Sequence, residues 1–284
     1  MYIPSLEGTI DRRLLVNYRV EPAYLQRLLP GPFRPKLIHG MGIAGICLIR
    51  LQQIRPRALP AAFGLSSENA AHRIAVEWEE NGEHREGVYI PRRDTSSHFN
   101  MLVGGRLFPG VHHRASFQVT EDEDSFSVHM ASDDGETQVA VEARLTSHLP
   151  ENSIFVSLEE ASAFFEHGSL GYSVTNQAGK LDGLELRCGN WKVEPLQVTT
   201  AQSSFFDDRQ RFPAGVAELD CALLMRGIRH DWYVREPFST TESESLATSV
   251  QVPTRHERPL PSLHTGKASP HHVALPKPAE AAVS

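Results

Sequence analysis

Residues 86–117 of the chain read EGVYIPRRDTSSHFNMLVGGRLFPGVHHRASF, and this stretch decides the predicted fold. Residues 87–91 alternate and are rich in β-forming side chains, which predicts a strand. Residues 95–103 follow Asp94, a residue type that caps helix N-termini, and predict a short helix. Gly104 and Gly105 then allow a tight turn. The stretch therefore predicts a strand, a short helix, a turn and a second strand.

The second half of this stretch is unusually polar for a strand. Arg106, His112, His113 and Arg114 follow the glycine turn, while their neighbours are apolar residues suited to burial. Because side chains alternate along a strand, only one of the two adjacent histidines is expected to face the interior. This combination predicts a binding site beside the strand.

Working outward, the chain shows many short strands and few helices. The Asn81-Gly82 pair is a strong hairpin signal between residues 71–78 and 86–90. Residues 65–69 predict a polar bend, and Ser157 with the two glutamates after it predicts a helix over Leu158–His167. Further strands are predicted at residues 14–20, 41–51, 115–120, 125–131, 137–145, 171–175, 184–188, 191–198 and 218–230, with a helix starting at Pro22.

This order of elements predicts the fold class. It contains no regular alternation of strand and helix, so a doubly wound fold is disfavoured. We predict one α+β, β-rich domain over residues 1–239, an antiparallel β-cone or barrel with a few short helices. Residues 240–284 lack aromatic side chains and are rich in Pro, Ser and His, which predicts a disordered tail.

Composition excludes several functional classes. The net charge of -7 disfavours nucleic-acid binding. Three cysteines without a C-x-x-C spacing indicate neither a disulfide framework nor a structural zinc site. No apolar run approaches the ~20 residues that span a bilayer, and no apolar signal core is found at the N-terminus. We therefore expect a cytoplasmic protein with no metal, no cofactor and no membrane contact, and leave homo-oligomer formation open.

Common catalytic motifs are missing. The chain has no G-x-S-x-G elbow, no G-x-G-x-x-G after a strand, no P-loop and no H-E-x-x-H zinc motif. Nothing in the residues alone therefore assigns a reaction.

Several short motifs, taken together, resemble the acetoacetate decarboxylase-like superfamily. They are the opening LLVNYRVEPAYLQRLLP, the Ser67-Glu68-Asn69 segment, the Gly87-Val88-Tyr89 strand, and Gly105-Arg106 ahead of Gly110. The chain looks most like that superfamily's uncharacterised bacterial branch. The resemblance covers residues 10–235 and implies an antiparallel β-cone that encloses a largely apolar cavity.

The resemblance also exposes a difference in chemistry. The decarboxylases carry the motif Gly-Arg-Glu-x-x-Gly-x-Pro-Lys-Lys, whose first lysine forms a Schiff base with a β-keto acid. Here Leu107 replaces the Glu, His112 the Pro, His113 the nucleophilic Lys and Arg114 the second Lys. No lysine occurs between Lys36 and Lys180, and an imidazole cannot form a stable imine. Decarboxylation through a Schiff base is therefore not expected.

The resemblance implies a set of site residues. Glu68 corresponds to a cavity carboxylate of the family and is assigned a catalytic role together with His113, the general acid or base. Arg106, Arg114 and Arg19 are assigned to ligand binding, because a guanidinium can hold a carboxylate through two hydrogen bonds. The alternative is a structural role for both residues, in which Glu68 closes a turn and Arg106 pairs with a nearby carboxylate.

Two functions remain open at this point. The first, slightly preferred, is a protein that binds a small carboxylate or carbonyl ligand in a closed cavity without Schiff-base catalysis. The second is a lyase, isomerase or hydrolase that acts on a keto or carboxylic acid with His113 as general acid/base. The sequence does not decide whether the protein is an enzyme.

Overall fold

The structure is a computed structural model that describes residues 5–98 and 109–240. Its helices are α1 (Pro22–Gln26) and α2 (Leu158–His167), with a 3₁₀ helix at Ala61–Phe63. The strands are β1 (Ser5–Val20), β2 (Arg34–Pro35), β3 (Leu37–Ile38), β4 (Met41–Pro56), β5 (Leu65–Glu80), β6 (Glu83–Thr95), β7 (His113–Glu121), β8 (Ser125–Ser132), β9 (Gln138–Leu145), β10 (Leu170–Val174), β11 (Lys180–Cys188), β12 (Glu194–Ser203) and β13 (Ala217–Ser239).

Pairing between these strands closes the sheet on itself. One ring runs through β1, β4, β5, β6, β10, β11 and β13 and returns to β1. A branch through β7, β8, β9 and β12 leaves β6 and returns to β13. Within the described residues, the pairings are antiparallel except where β6 meets β7 and β10. The prediction of a β-rich fold with few helices and a barrel-like sheet is confirmed.

Local sequence signals explain two of the junctions. Asn81 and Gly82 have φ values of 54° and 79°, and they connect β5 to β6 as the predicted hairpin. At the start of α2 the hydroxyl of Ser157 accepts a hydrogen bond from the backbone N–H of Glu160 at 3.2 Å. This cap satisfies a backbone donor that the first helical turn leaves free.

Strand β4 is buried on both faces, as its continuous apolar sequence predicts. Between residues 43 and 51 its even and odd positions belong to two separate hydrophobic clusters, and β1, β5 and β13 also contribute to both clusters. From β4, Ala44, Ile46 and Leu48 join the first cluster, while Ile43, Cys47 and Leu51 join the second. The second cluster also contains Phe164 and Phe165, the aromatic face of α2.

One local prediction is wrong. Residues 65–69, predicted to form a polar bend, begin β5 and pair with β4. The polar residues favoured a bend in the prediction, but the polar groups of Glu68 and Asn69 have partners within the sheet. Glu68 pairs with two arginines, and Asn69 Oδ1 accepts a hydrogen bond from the Thr95 hydroxyl at 2.8 Å.

The helix predicted over residues 95–103 has a different start. Thr95 is the last residue of β6, and Asp94 pairs with Arg92 in place of capping a helix. The remainder of that helix from residue 99, the Gly104-Gly105 turn and the predicted tail from residue 241 lie outside the described residues.

Candidate functional site

A cavity of about 130 Å³ lies against the second hydrophobic cluster. Most of its wall is apolar and includes Leu51, Ile90, Phe165, Trp191 and Trp232. Polar side chains enter this wall from β1, β4, β5, β6 and the segment before β7. We call it the arginine cavity and define it by the side chains of Arg13, Cys47, Arg73, Arg93 and His112.

Strand register brings these residues together. Cys47 on β4 lies opposite Leu15 on one side and Ala71 on the other. Ala71 in turn lies opposite Arg93 on β6. Arg13 and Arg73 are two residues away from Leu15 and Ala71, and positions two apart on a strand share a face. One face of three adjacent strand pairs thus carries the thiol and all three guanidinium groups.

The three arginines have neutral partners. Arg13 Nε donates to Cys47 Sγ at 3.2 Å, and Arg93 Nε donates to the Ser173 hydroxyl at 2.8 Å. Arg73 Nη2 donates to Asn17 Oδ1 at 2.5 Å. Within residues 5–98 and 109–240, none of these arginines pairs with a carboxylate. The intervening residues, FNMLVGGRLF, include no acidic residue.

Arg73 and Arg93 nevertheless remain cations at neutral pH. Burial disfavours the charged form and lowers the pKa of Arg73 and of Arg93 to about 10. A pKa of about 10 lies above pH 7, so both groups keep their proton there. The cavity wall therefore carries net positive charge in largely apolar surroundings.

One acidic residue, Asp94, also lines the cavity, but its charge is already balanced. Its carboxylate is fully buried and accepts hydrogen bonds from Arg92 at 2.8 and 3.0 Å. Burial raises the pKa of Asp94, and the charge of Arg92 opposes this shift. Arg92 also contacts Asp134 and Glu136, so this group does not neutralise the three cavity arginines.

His112 is a neutral ring in the cavity wall. Burial and the nearby charge of Arg93 lower the pKa of His112 to about 3. Its Nδ1 lies 3.2 Å from the carbonyl oxygen of Gly110. A carbonyl only accepts, so Nδ1 carries the hydrogen and Nε2 keeps a free lone pair. Nε2 has no hydrogen-bond partner in the part of the chain that the structure describes.

The predicted site residues that the structure describes lie outside the cavity wall. The prediction that His113 faces the cavity does not match its position, because His113 is 35% exposed and pairs with Asp134 at 3.0 Å. Its neighbour His112, directly before β7, takes the inward position. Arg114 donates to the backbone carbonyls of Thr95, Ser96 and Ala115.

The other predicted ligands also lie outside the cavity wall. Glu68 bridges Arg12 and Arg50, at 2.5 Å to each. Arg19 pairs with Glu218 at 2.6 Å and with Asp220 at 3.3 Å. Arg106 lies outside the described residues. None of the predicted site residues that the structure describes therefore lines the arginine cavity.

Sequence reasoning missed Arg13, Arg73, Arg93 and Cys47. A signal for Arg73 exists in its strand, AHRIAVEW, where an arginine stands at the alternate position to buried Ile74 and Val76. That strand is also buried on its second face, so Arg73 points into the interior. This second burial could not be recognised before the closed sheet was known.

Two kinds of feature are absent from the described residues. No helix among the described residues is long and apolar enough to cross a membrane. No group of three or more His, Cys, Asp or Glu side chains in the described ranges is placed to hold a metal ion.

Comparison with solved structures shows the fold. Acetoacetate decarboxylase from Legionella pneumophila aligns with a TM-score of 0.52 and 11% identity, over 84% of this chain and 87% of that chain. The enduracididine biosynthesis enzyme MppR complexed with pyruvate aligns with a TM-score of 0.51 and 11% identity, over 84% and 90% of the two chains. A search of curated proteins finds no match.

The sequence profile of DUF2071, described as an uncharacterized conserved protein, matches residues 8–228. This match covers most of the chain and all five side chains that define the arginine cavity. The chain therefore belongs to the DUF2071 family of uncharacterized conserved proteins and has an acetoacetate decarboxylase-like fold.

Proposed function

We propose that the protein binds a small carboxylate ligand in the arginine cavity. The observation that carries this proposal is the presence of three cavity arginines with no carboxylate partner in the described residues. A buried charge is costly unless it is paired, so an anion in the cavity would supply the missing partner. Guanidinium groups suit a carboxylate because they offer two parallel donors.

The size and lining of the cavity support a small organic acid. Pockets for drug-sized ligands usually start at about 300 Å³, and this cavity measures about 130 Å³. Arg13, Arg73 and Arg93 supply positive charge, while Leu51 and Trp232 offer apolar contact to a short carbon body. A keto acid with a few carbon atoms meets both requirements.

The three lysines that the structure describes do not favour Schiff-base chemistry. Lys36 pairs with Glu86 at 2.6 Å, and Lys180 and Lys192 are exposed. None of these three lysines lines the arginine cavity. We therefore propose that ligand binding occurs without an imine.

A second candidate function is a lyase, isomerase or hydrolase on the same class of acid. The observation that favours it is the free lone pair of His112 Nε2 in the cavity wall, which can accept a proton from a bound acid. In this proposal His112 takes the general-base role predicted for His113. Glu68 would act indirectly, by fixing Arg12 and Arg50 beside the sheet.

Calorimetric titration with pyruvate and acetoacetate tests the binding proposal. We expect saturable binding that weakens by about tenfold or more when Arg13→Gln or Arg73→Gln removes one cationic donor. Arg19→Gln is the matched control, since Arg19 is an ion-paired arginine outside the cavity. Equal affinity in all variants, or no binding of any small carboxylic acid, would overturn the proposal.

A further inference from the structure

Cys47 is the one thiol in the wall of the arginine cavity among the described residues. The residue is only 6% exposed, and its Sγ accepts a hydrogen bond from Arg13 Nε at 3.2 Å. Arg73 and Arg93 are also close enough to interact electrostatically with the sulfur. Three cations therefore surround a sulfur that faces the ligand space.

An independent observation points to a ligand beside this thiol. Arg73 is 6% exposed, and its Nε donor is buried with no hydrogen-bond partner among residues 5–98 and 109–240. Its Nη2 is already engaged by Asn17. Because unpaired buried donors are rare in folded proteins, the free Nε is a donor that an acceptor atom of a bound ligand would satisfy.

We infer that Cys47 is a nucleophile that takes electrophilic carboxylic acids bound by the cavity arginines. This inference rests on the proposed carboxylate site and adds a covalent step to it. The sulfur faces the ligand space and accepts a hydrogen bond from Arg13, so it lies beside the groups that would hold the ligand. The same cations would hold the carboxylate of the electrophile and bring its reactive carbon to the sulfur.

The chemistry is a simple substitution or addition. With an α-halo acid, a bond forms between Sγ and the α-carbon while the carbon–halogen bond breaks, and the halide leaves with the bonding pair. The thiol proton passes to solvent. With an α,β-unsaturated acid, sulfur bonds to the β-carbon and the thiol proton finally resides on the α-carbon. Neither reaction needs an oxidant, a reductant or a metal.

The chain supplies its own comparison thiols. Cys221 and Cys188 do not line the arginine cavity. Burial and the nearby Asp220 raise the pKa of Cys221 well above its usual range, and burial raises the pKa of Cys188. Anionic reagents therefore have no reason to prefer these two positions.

Competitive alkylation with iodoacetate and iodoacetamide tests the inference, because the two reagents differ mainly in charge. The native full-length protein is treated with each reagent, and peptide mass spectrometry gives a rate for each cysteine. We expect the iodoacetate-to-iodoacetamide rate ratio at Cys47 to exceed that at Cys188 by on the order of tenfold, because a cationic cleft concentrates anions. Equal ratios at the two thiols, or no alkylation of Cys47 in the folded protein, would overturn it.

Variants of the arginines separate charge from accessibility. Arg73→Gln is expected to reduce the ratio at Cys47 toward that of Cys188, while Arg19→Gln leaves it unchanged. Cys47→Ser gives the background level of alkylation. Thermal unfolding checks that each variant is folded. A ratio at Cys47 that Arg73→Gln leaves unchanged would contradict the role assigned to the arginines.

The two proposals fail in different ways. If pyruvate binds but Cys47 does not react, the carboxylate site is retained and the covalent step is removed. Anion-selective alkylation without pyruvate binding would retain a reactive cysteine and remove the keto-acid ligand. Protection of Cys47 from iodoacetate by saturating pyruvate is the result expected when both hold.

Discussion

Nη2 of Arg73 donates to Oδ1 of Asn17 at 2.5 Å, so a buried cation on β5 is held by a neutral amide on β1. Asn17 is fully buried and Arg73 is 6% exposed. A neutral acceptor fixes the guanidinium in place without cancelling its charge. The pair therefore keeps a positive charge available in the cavity wall at the expense of stability.

The first prediction concerns that stability. Arg73→Met is expected to raise the free energy of unfolding by roughly 1 to 2 kcal/mol, because an apolar side chain replaces an uncompensated buried charge. The same variant should lose pyruvate binding. Chemical denaturation and calorimetric titration measure the two effects. A destabilised Arg73→Met protein would mean that the charge is compensated, and Arg19→Met is the control.

The second prediction concerns the catalytic alternative. If turnover of a keto acid is found, His112→Gln should lower kcat by about 10²-fold, the usual contribution of a general base. His113→Gln should leave kcat nearly unchanged, because that ring is paired with Asp134 outside the cavity wall. Steady-state kinetics on both variants decides which histidine is the general base. The opposite order of effects would restore His113 as the base.

The third prediction concerns pH. Burial lowers the pKa of His72 to about 3 and that of His230 to about 4, below the value of about 6.5 for an unfolded histidine. Below pH 6.5 the unfolded chain therefore binds more protons, and stability falls as pH decreases from 6.5 toward 3. His72→Gln should flatten this fall in denaturation series at several pH values. His129→Gln, at an exposed position, should not.

The fourth prediction concerns Glu68. Its carboxylate bridges buried Arg12 and half-buried Arg50, and its own side chain is 16% exposed. Glu68→Gln should destabilise the fold by about 2 kcal/mol, since Arg12 and Arg50 would then share Glu121 as their nearest remaining carboxylate. Pyruvate affinity should change little, because Glu68 does not line the cavity. Complete loss of binding in a folded Glu68→Gln protein would support the direct role that the family resemblance implies.

The fifth prediction concerns the first hydrophobic cluster. Trp78 is fully buried and contacts Phe33 and Tyr172 edge to face. Trp78→Ala should cost roughly 3 to 5 kcal/mol through loss of burial and creation of a cavity. Trp78→Phe should cost much less, because the indole N–H has no hydrogen-bond partner among the described residues. Similar losses in the two variants, measured by denaturation, would contradict this account.

The sequence predicts the elements of this fold better than its site. The hairpin at Asn81-Gly82 and helix Leu158–His167 follow from local turn and capping chemistry, which neighbouring residues determine. The sequence predicts too short a strand β5, because Glu68 and Asn69 are polar and their partners come from other strands. Local patterns do not reveal partners that lie far away in the chain.

The site illustrates the same limit more strongly. Alternation correctly predicts that only one of His112 and His113 faces inward, but alternation alone does not tell which. Placing residues by resemblance to the decarboxylase motif favoured His113, whereas the structure turns His112 toward the cavity. Arg13, Arg73 and Cys47 lie on three different strands, and the pairing of β4 with β1 and β5 brings them together.

The two-sided burial of β4 limits how this pocket can evolve. A one-residue insertion or deletion within that strand would exchange Cys47 for Ile46 or Leu48 and would turn every later side chain to the opposite face. Both faces would then be mispacked at once. Diversification of the pocket among homologous chains is therefore expected to proceed by substitution at fixed length, with changes in length confined to connections such as the hairpin at Asn81-Gly82.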